Sequence, residues 1–253
     1  MSNFVDSDSL TTRLYRNGVA MVRKHPANNE GFTLIEIMVV IAITGVIIGM
    51  SVPRMSAWRA RLDARATARA MGDILHEART QAIRTGDQHI VYLRVPGVGT
   101  GGDDPNGTPL WNIQGDDVDV LMSRDSNGDC LIDNAETQTV LTFGDDPGDM
   151  VFGLTNTTNK VPSDMSTATL TTGATFADPN NTATATRWIL FRPDGIPVGF
   201  TGDSTSCARV GTTGSGAGGI YMTNGTDDFA PVLTALGGVR LHFFDMNANG
   251  WTN

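Results

Sequence analysis

Basic residues are scarce where a nucleic-acid-binding surface would need them. From Gly97 to the end of the chain, six arginines and lysines stand against nineteen aspartates and glutamates, a balance of −13. Such a surface repels a phosphate backbone rather than binding it, and nucleic acid is not an expected partner. Histidine is equally thin, with four in 253 residues. His25 precedes the apolar run, His76 falls in a helical pattern, and His89 and His242 fall in strand patterns. The chain has no phosphate-binding glycine loop, no nucleophile elbow and no His-Glu metal pair, so it gives no support for an enzyme. No organic cofactor is expected. What the chain has instead is glycine, 29 residues of it. With many Thr, Asn and Asp, this marks a loop-rich β protein facing water.

One stretch breaks this polar character. Gly31 to Val52, GFTLIEIMVVIAITGVIIGMSV, is apolar, small or hydroxylic except for Glu36. At about 1.5 Å per residue its helix is roughly 30 Å long, the thickness of a bilayer's hydrocarbon core. A carboxylate there costs about 2.5–3.5 kcal/mol on insertion scales. A buried charge of this kind is tolerable only when paired. Arg23, Lys24 and His25 directly precede the run; this satisfies the positive-inside bias, with the C-terminus outside.

GFTLIE, the apolar run and Pro53 together resemble the class III signal of type IV pilins and type II secretion pseudopilins. The resemblance implies cleavage by a prepilin peptidase between Gly31 and Phe32, followed by methylation of the Phe32 amine. It also implies that Glu36 pairs with the terminal amine of a neighbouring subunit, an oppositely charged partner for the buried acid. The domains that follow are a cleaved leader over 1–31, a transmembrane half-helix over 32–52, an amphipathic half-helix over 53–86 and a periplasmic head over 87–253. A leader of that length leaves Met1 and Met21 both open as the start. The implied location is the inner membrane, single-pass, with assembly into a periplasmic fibre. The implied partners are other pseudopilins or pilins of that fibre.

Beyond Pro53, which removes a helical hydrogen bond and favours a bend, the chain is rich in Ala and Arg. Trp58, Leu62, Ala66, Ala70, Ile74, Ala78 and Ala82 recur every four residues, joined by Met71, Leu75 and Ile83. They predict an amphipathic face packing on the head. Thr85-Gly86 supplies the stop, so one helix is expected from about Thr33 to Thr85. The arginines of this segment are expected to pair with acids such as Asp63, Asp73 and Glu77. After Gly86 the period becomes two. Strands are expected at 88–95, 118–122, 137–143, 151–154, 187–192, 196–200, 219–223, 230–236 and 239–244. Arg192-Pro-Asp-Gly-Ile196 reads as a turn closing a hairpin. Residues 156–186 read as a long exposed loop, and 211–219 as a second flexible connection. Helix followed by antiparallel sheets is an α+β fold.

Trp188-Ile-Leu-Phe with Pro193-Asp-Gly, and the terminal Leu236-Gly-Gly-Val-Arg-Leu241, resemble the GspH/FimT subgroup of minor pseudopilins and minor pilins. That resemblance implies a head of two β-sheets packed beside the helix. It leaves two systems open, type II secretion or a type IV pilus serving assembly or DNA uptake. Both cysteines, Cys130 and Cys207, fall in the head, and in a periplasmic setting a disulfide between them is chemically permitted.

The clearest chemical pattern in the head is Asp125 to Glu136, DSNGDCLIDNAE. Read as a twelve-residue calcium loop, it offers Asp125, Asn127 and Asp129 at positions one, three and five. The Leu131 carbonyl serves at seven, Asp133 at nine and Glu136 at twelve. Hard oxygen ligands favour Ca²⁺ over zinc. The departure is Cys130 at position six, where glycine is normal; the strain is about 1–2 kcal/mol. An acidic hairpin turn is the other reading, since Asn127-Gly128 favours one. The tail Asp245-x-Asn247-x-Asn249-Gly250 repeats only half of such a loop and reads as a turn.

Overall fold

In the computed structural model, the described residues are 31–95, 104–108, 110, 118–133, 135–136, 138–144, 149–170, 173–202, 207 and 209–252, without the side chains of 51–54, 56 and 57. The expected leader therefore lies outside the described residues, together with the choice between Met1 and Met21. So do most of the loops at 96–117 and 145–148. The chain divides into two compact units, Met1–Gly49 and Met50–Asn253.

Helix α1 runs over Leu34–Thr85. Thr33 caps it, its hydroxyl accepting the Glu36 amide at 3.2 Å, which satisfies one of the free donors of the first turn. The helix continues through Pro53. Gly86 ends it at φ 75°, its amide donating to the Ala82 carbonyl at 3.0 Å. Every described residue from Gly31 to Met50 is exposed. Among the described residues no helix is long and apolar enough to cross a membrane; the described side chains of the apolar run end at Met50, and the expected span reaches Val52, outside them.

The buried line of α1 differs from the expected one. Of the expected residues Met71, Ile74, Leu75, Ala78 and Ala82 are buried, and Ala64 and Ala68 join them, whereas Trp58, Leu62, Ala66 and Ile83 are exposed. The reason is geometric. A strict four-residue step turns about 400°, so it drifts about 40° per step and leaves the core within a few turns. The observed steps of three and four hold the line on one side.

The strands, in chain order, are β1 (Gln88–Leu93), β2 (Val120–Asp125), β3 (Gln138–Leu141), β4 (Val151–Phe152), β5 (Phe176–Ala177), β6 (Ala185–Thr186), β7 (Trp188–Phe191), β8 (Pro197–Val198), β9 (Phe200–Thr201), β10 (Arg209–Val210), β11 (Gly218–Gly219), β12 (Met222–Thr223), β13 (Asp228–Leu233), β14 (Val239–Asp245) and β15 (Gly250–Thr252). They make a five-stranded sheet in the order β3-β2-β1-β7-β8 and a six-stranded sheet in which β15-β14-β13-β12-β4 are consecutive and β11 pairs β13. Two-stranded pairs β9–β10 and β5–β6 complete it. All pairings are antiparallel, so the fold is α+β, a helix followed by antiparallel sheets as in a pilin-like fold.

Period two decides which side chains face which layer. Val91 and Leu93 of β1, Val120 and Met122 of β2, and Ile189 and Phe191 of β7 join Met71, Leu75 and Ala78 of α1 in the main core. Ile90, Tyr92, Leu121 and Leu190, the alternate residues, turn to the opposite face and pack with Val198, Phe200, Cys130 and Leu110. The central strands are buried on both faces, which is why β1 reads as a nearly continuous apolar run.

The 192–196 segment closes the β7–β8 hairpin, with Gly195 at φ 75° and the Arg192 amide donating to the Ile196 carbonyl at 3.1 Å. Its Gly195 carbonyl abuts a second turn at Gly237, φ 81°. A Cβ on Gly237 would lie 2.8 Å from that oxygen and 3.0 Å from the Arg79 side chain. Arg79 in turn donates to the Gly237 carbonyl at 3.3 Å, and Arg61 pairs with Asp227 at 3.5 Å; among the described residues neither forms an ion pair along the helix. Gly237→Ala is therefore expected to cost about 2 kcal/mol through backbone strain and overlap, measured by denaturant unfolding of the full chain in detergent; a loss below about 0.5 kcal/mol would show that the two turns are not tightly docked.

Residues 156–186 are not the long exposed loop their composition suggests. Val161, Asp164, Ala168, Thr175 and Phe176 are buried, and 176–186 forms the β5–β6 hairpin. The cause is internal hydrogen bonding. The Asp164 carboxylate accepts from the Tyr221 hydroxyl at 2.7 Å, the Thr175 hydroxyl at 2.6 Å and the Ser166 amide at 3.0 Å. Lys160 donates to the carbonyls of Ser166 and Ala168 at 2.7 and 3.2 Å. The other expected flexible stretch, 211–219, likewise ends in a strand, β11, paired with β13.

Candidate functional sites

Two regions carry the expected chemistry. At the N-terminal one, Gly31, Phe32 and Thr33 lie outside the helix, directly before Leu34. Gly31 and Phe32 are exposed, Phe32 by 79%. Both residues of the expected cleavage site thus lie in exposed, non-helical backbone. Glu36 sits in the first turn of α1 and is exposed. A carboxylate there is favoured by the positive end of the helix dipole. A new amine at Phe32 would stand four residues away, on the same end of the helix.

The acidic loop begins on the last residue of β2. Asp125 Oδ1 accepts the amides of Gly128 and Asp129 at 2.7 and 3.2 Å, and its Oδ2 accepts the Cys130 amide at 3.2 Å. Glu136 reaches back across the loop. Its Oε1 accepts the Ser126 amide at 2.7 Å, and its Oε2 accepts the Ser123 hydroxyl at 3.0 Å. Burial raises the carboxyls of both Asp125 and Glu136 above the ordinary carboxylate range. The charge of Asp129 adds to this at Asp125, and that of Asp125 adds to it at Glu136. Tyr92, fully buried beneath, donates to the Cys130 carbonyl at 3.0 Å. Burial and the carboxylates of Asp125, Asp104, Glu136 and Asp129 push its hydroxyl far above the usual value, so it stays a donor.

The structure places Asp125, Asp129 and Glu136 on one loop, but among the described residues their carboxylate oxygens do not all lie within 4.8 Å of one another, and the other candidates are placed differently. Asn127 donates to Asp129 Oδ2 at 2.8 Å while its own oxygen accepts the Asp129 amide at 3.0 Å. Leu131 donates its amide to Asp129 Oδ1 at 2.9 Å. Asp133 is exposed and accepts the Ala135 amide at 2.9 Å. Asp104 joins the group unannounced by the twelve-residue pattern: it is buried and accepts the amides of Thr108 and Ile132 at 2.7 and 3.3 Å. Its signal in the sequence is the turn Asp104-Pro-Asn-Gly107. The donors are hard oxygens, the type Ca²⁺ takes, but among the described residues no three of these carboxylates are drawn together at ligand distances.

Cys130 takes φ 59°, the left-handed conformation that the glycine position of such a loop requires. It is joined to Cys207 by a disulfide, with Cα atoms 5.2 Å apart. The Asp125 carboxylate lies within 4.8 Å of both sulfurs, but a disulfide offers no thiolate to a metal.

Comparison with known proteins supports the N-terminal region. The prokaryotic N-terminal methylation motif matches residues 26–52, which contain Gly31, Phe32 and Glu36. This part of the chain is similar to the signal of type IV pilin-like proteins, a membrane-anchored class processed by prepilin peptidase and assembled with other pilins. No curated protein and no solved structure matches the chain.

Proposed function

We propose that the chain is a minor pseudopilin of the GspH/FimT type, a structural subunit of the periplasmic fibre of a type II secretion system. The observation that carries this reading is the methylation-motif match over 26–52, set where the Gly31–Phe32 bond is exposed immediately ahead of α1. Cleavage there frees the Phe32 amine. The apolar segment holds the subunit in the inner membrane until extraction, and Glu36 pairs with the amine of the next subunit, so that two charges costly in lipid offset each other. The head works by contact, not by catalysis. Intact mass of the membrane form tests the reading: loss of residues 1–31 and gain of a methyl group are expected. Glu36→Gln should leave processing intact and lower recovery in the fibre several-fold. Retention of the leader in a host with active prepilin peptidase would overturn the assignment. Recovery with pilus rather than secretion subunits would move it to the minor pilins, and a salt-sensitive shift of DNA by the full chain would move it to uptake.

Calcium binding by the 125–136 loop belongs to the same reading, supported by its all-oxygen donor set. Asp125, Asp129 and Glu136 would hold the ion by closing on it from their present positions, and the ion would supply charge neutralisation and fix the loop against the sheet. Titration calorimetry of the full chain should give a calcium heat that Asp125→Ala removes. No heat from the unmutated chain would exclude it.

A further inference from the structure

Side chains along β14 alternate between two faces of the six-stranded sheet. Val239, Leu241 and Phe243 pack on the main core with the helix, so Arg240 and His242 turn to the opposite face. There Val161, Tyr221, Ala230 and Val232 form a small apolar cluster with Trp251. Arg240, His242, Ser163 and Trp251 line a groove of about 320 Å³ beside it, within the roughly 300–1,000 Å³ of small-ligand sites. The grooves on the α1 side of β14 include acids, Asp227 and Asp245 in one and Asp73 in the other. Among the described residues no acid lines this one. In a head as acidic as the segment from Gly97 onward, an acid-free groove that holds a guanidinium is where an anion meets least repulsion.

The polar groups of the groove define which anion. Arg240 is exposed and holds neither a hydrogen bond nor an ion pair among the described residues. His242 is buried, and its Nε2 lies 2.9 Å from the Ser163 hydroxyl oxygen. With the ring proton on Nε2, the imidazole donates to Ser163 Oγ, and the Ser163 O–H is left to donate into the groove. A bound anion selects that arrangement. A guanidinium fork and one hydroxyl suit the two oxygens of a carboxylate. The further oxygens of a phosphate would face groups with no donor to spare. The Trp251 indole N–H is given to the Asn159 carbonyl at 3.0 Å, the Val161 amide to the Tyr221 hydroxyl at 3.1 Å and the Thr252 hydroxyl to the Phe243 carbonyl at 3.2 Å. Pro162 has no N–H. The Trp251 ring, half-buried and set edge-on to Tyr221 and Phe244, supplies an apolar wall.

We propose that this groove binds a carboxylate carried next to an apolar or aromatic group, with Arg240 and Ser163 holding the oxygens and Trp251 the apolar part. Small aromatic acids share that chemistry with the free end of a peptide that finishes in an apolar residue. The site is independent of the assembly reading above. In the test, the full chain in detergent is titrated by calorimetry with phenylacetate and with the dipeptide acetyl-alanyl-phenylalanine. The amide of each is the uncharged control, and inorganic phosphate is the competing anion. Matching titrations of Arg240→Gln and Ser163→Ala in the same detergent separate binding in the groove from uptake by micelles. Both acids are expected to bind, each amide at least tenfold more weakly, and each substitution is expected to lower the affinity of the acids about tenfold. Arg240→Lys, which keeps the charge and loses the fork, is expected to fall between. Tighter binding of the dipeptide assigns the groove to a chain end, and tighter binding of phenylacetate assigns it to a free acid. No heat from either acid, equal binding of acids and amides, phosphate binding in their place, or an affinity unchanged in Arg240→Gln would each overturn the proposal.

Discussion

Asp164→Ala is expected to cost about 3–5 kcal/mol, against about 1 kcal/mol for Tyr221→Phe. The carboxylate receives two hydroxyls and one amide, and it is buried among them. Hydrogen bonds to a charged acceptor contribute about 1.5–3 kcal/mol each, and a buried donor left unpaired costs about 1–3 kcal/mol. The Tyr221 hydroxyl cannot escape the problem by ionising. Burial, and then the charge of Asp164, raise it far above its usual value, so it remains a donor at any working pH. The same oxygen also accepts the Val161 amide at 3.1 Å, which ties the 156–175 segment to β12 and its neighbours. Loss of Asp164 therefore strands several donors at once, whereas Tyr221→Phe leaves the carboxylate with two partners. Equal losses for the two variants in denaturant unfolding would mean that the Tyr221–Asp164 hydrogen bond carries the whole effect and the carboxylate's other partners add nothing.

That segment also shows where sequence reading stops. Helix α1, the strands β1, β7 and β14 and the 192–196 turn announce themselves through periodicity and turn chemistry, because apolar burial and backbone conformation determine them locally. Residues 156–186 are held by Lys160 and Thr175 bonding to Ser166 and Asp164 within the segment, and by Asp164 and Thr175 receiving Tyr221 and Gly219 from outside it. Thr, Ser and Asn have the same composition whether they face water or each other, so a segment stabilised by internal polar contacts looks like a loop. The apolar residues Val161 and Phe176 were the available hint. In the acidic loop the spacing identifies Asp125 and Glu136, which the structure draws together, but not Asp104. That residue comes from a separate turn, and only the sheet's geometry brings it beside Tyr92. The helix stripe holds from Met71 to Ala82 and fails before it, for a different reason: period four approximates 3.6 over two turns and not over seven.

Removing the disulfide should cost nearly as much as removing Asp164, and the two halves of that cost can be separated. The bond joins residues 77 apart, for which chain-entropy arguments give about 4.5 kcal/mol and measured natural bridges about 2–5 kcal/mol. It pins the 125–136 loop and the strand pair β9–β10 to the outer face of the five-stranded sheet, where both cysteines pack with Ile132 and Trp188. Cys130→Ala with Cys207→Ala loses this bridge and still forces a side chain to φ 59°. Cys130→Gly with Cys207→Ala loses the bridge and releases the backbone, since glycine takes that conformation without penalty. The glycine pair is therefore expected to be the more stable of the two by about 1 kcal/mol, both measured by denaturant unfolding in the presence of excess chelator. If the loop binds calcium, the glycine pair should also recover part of its loss on adding the ion, by mass action on the folded state. Should the alanine and glycine pairs unfold together, Cys130 is not strained in the native loop, and the sixth position of the pattern imposes nothing on it.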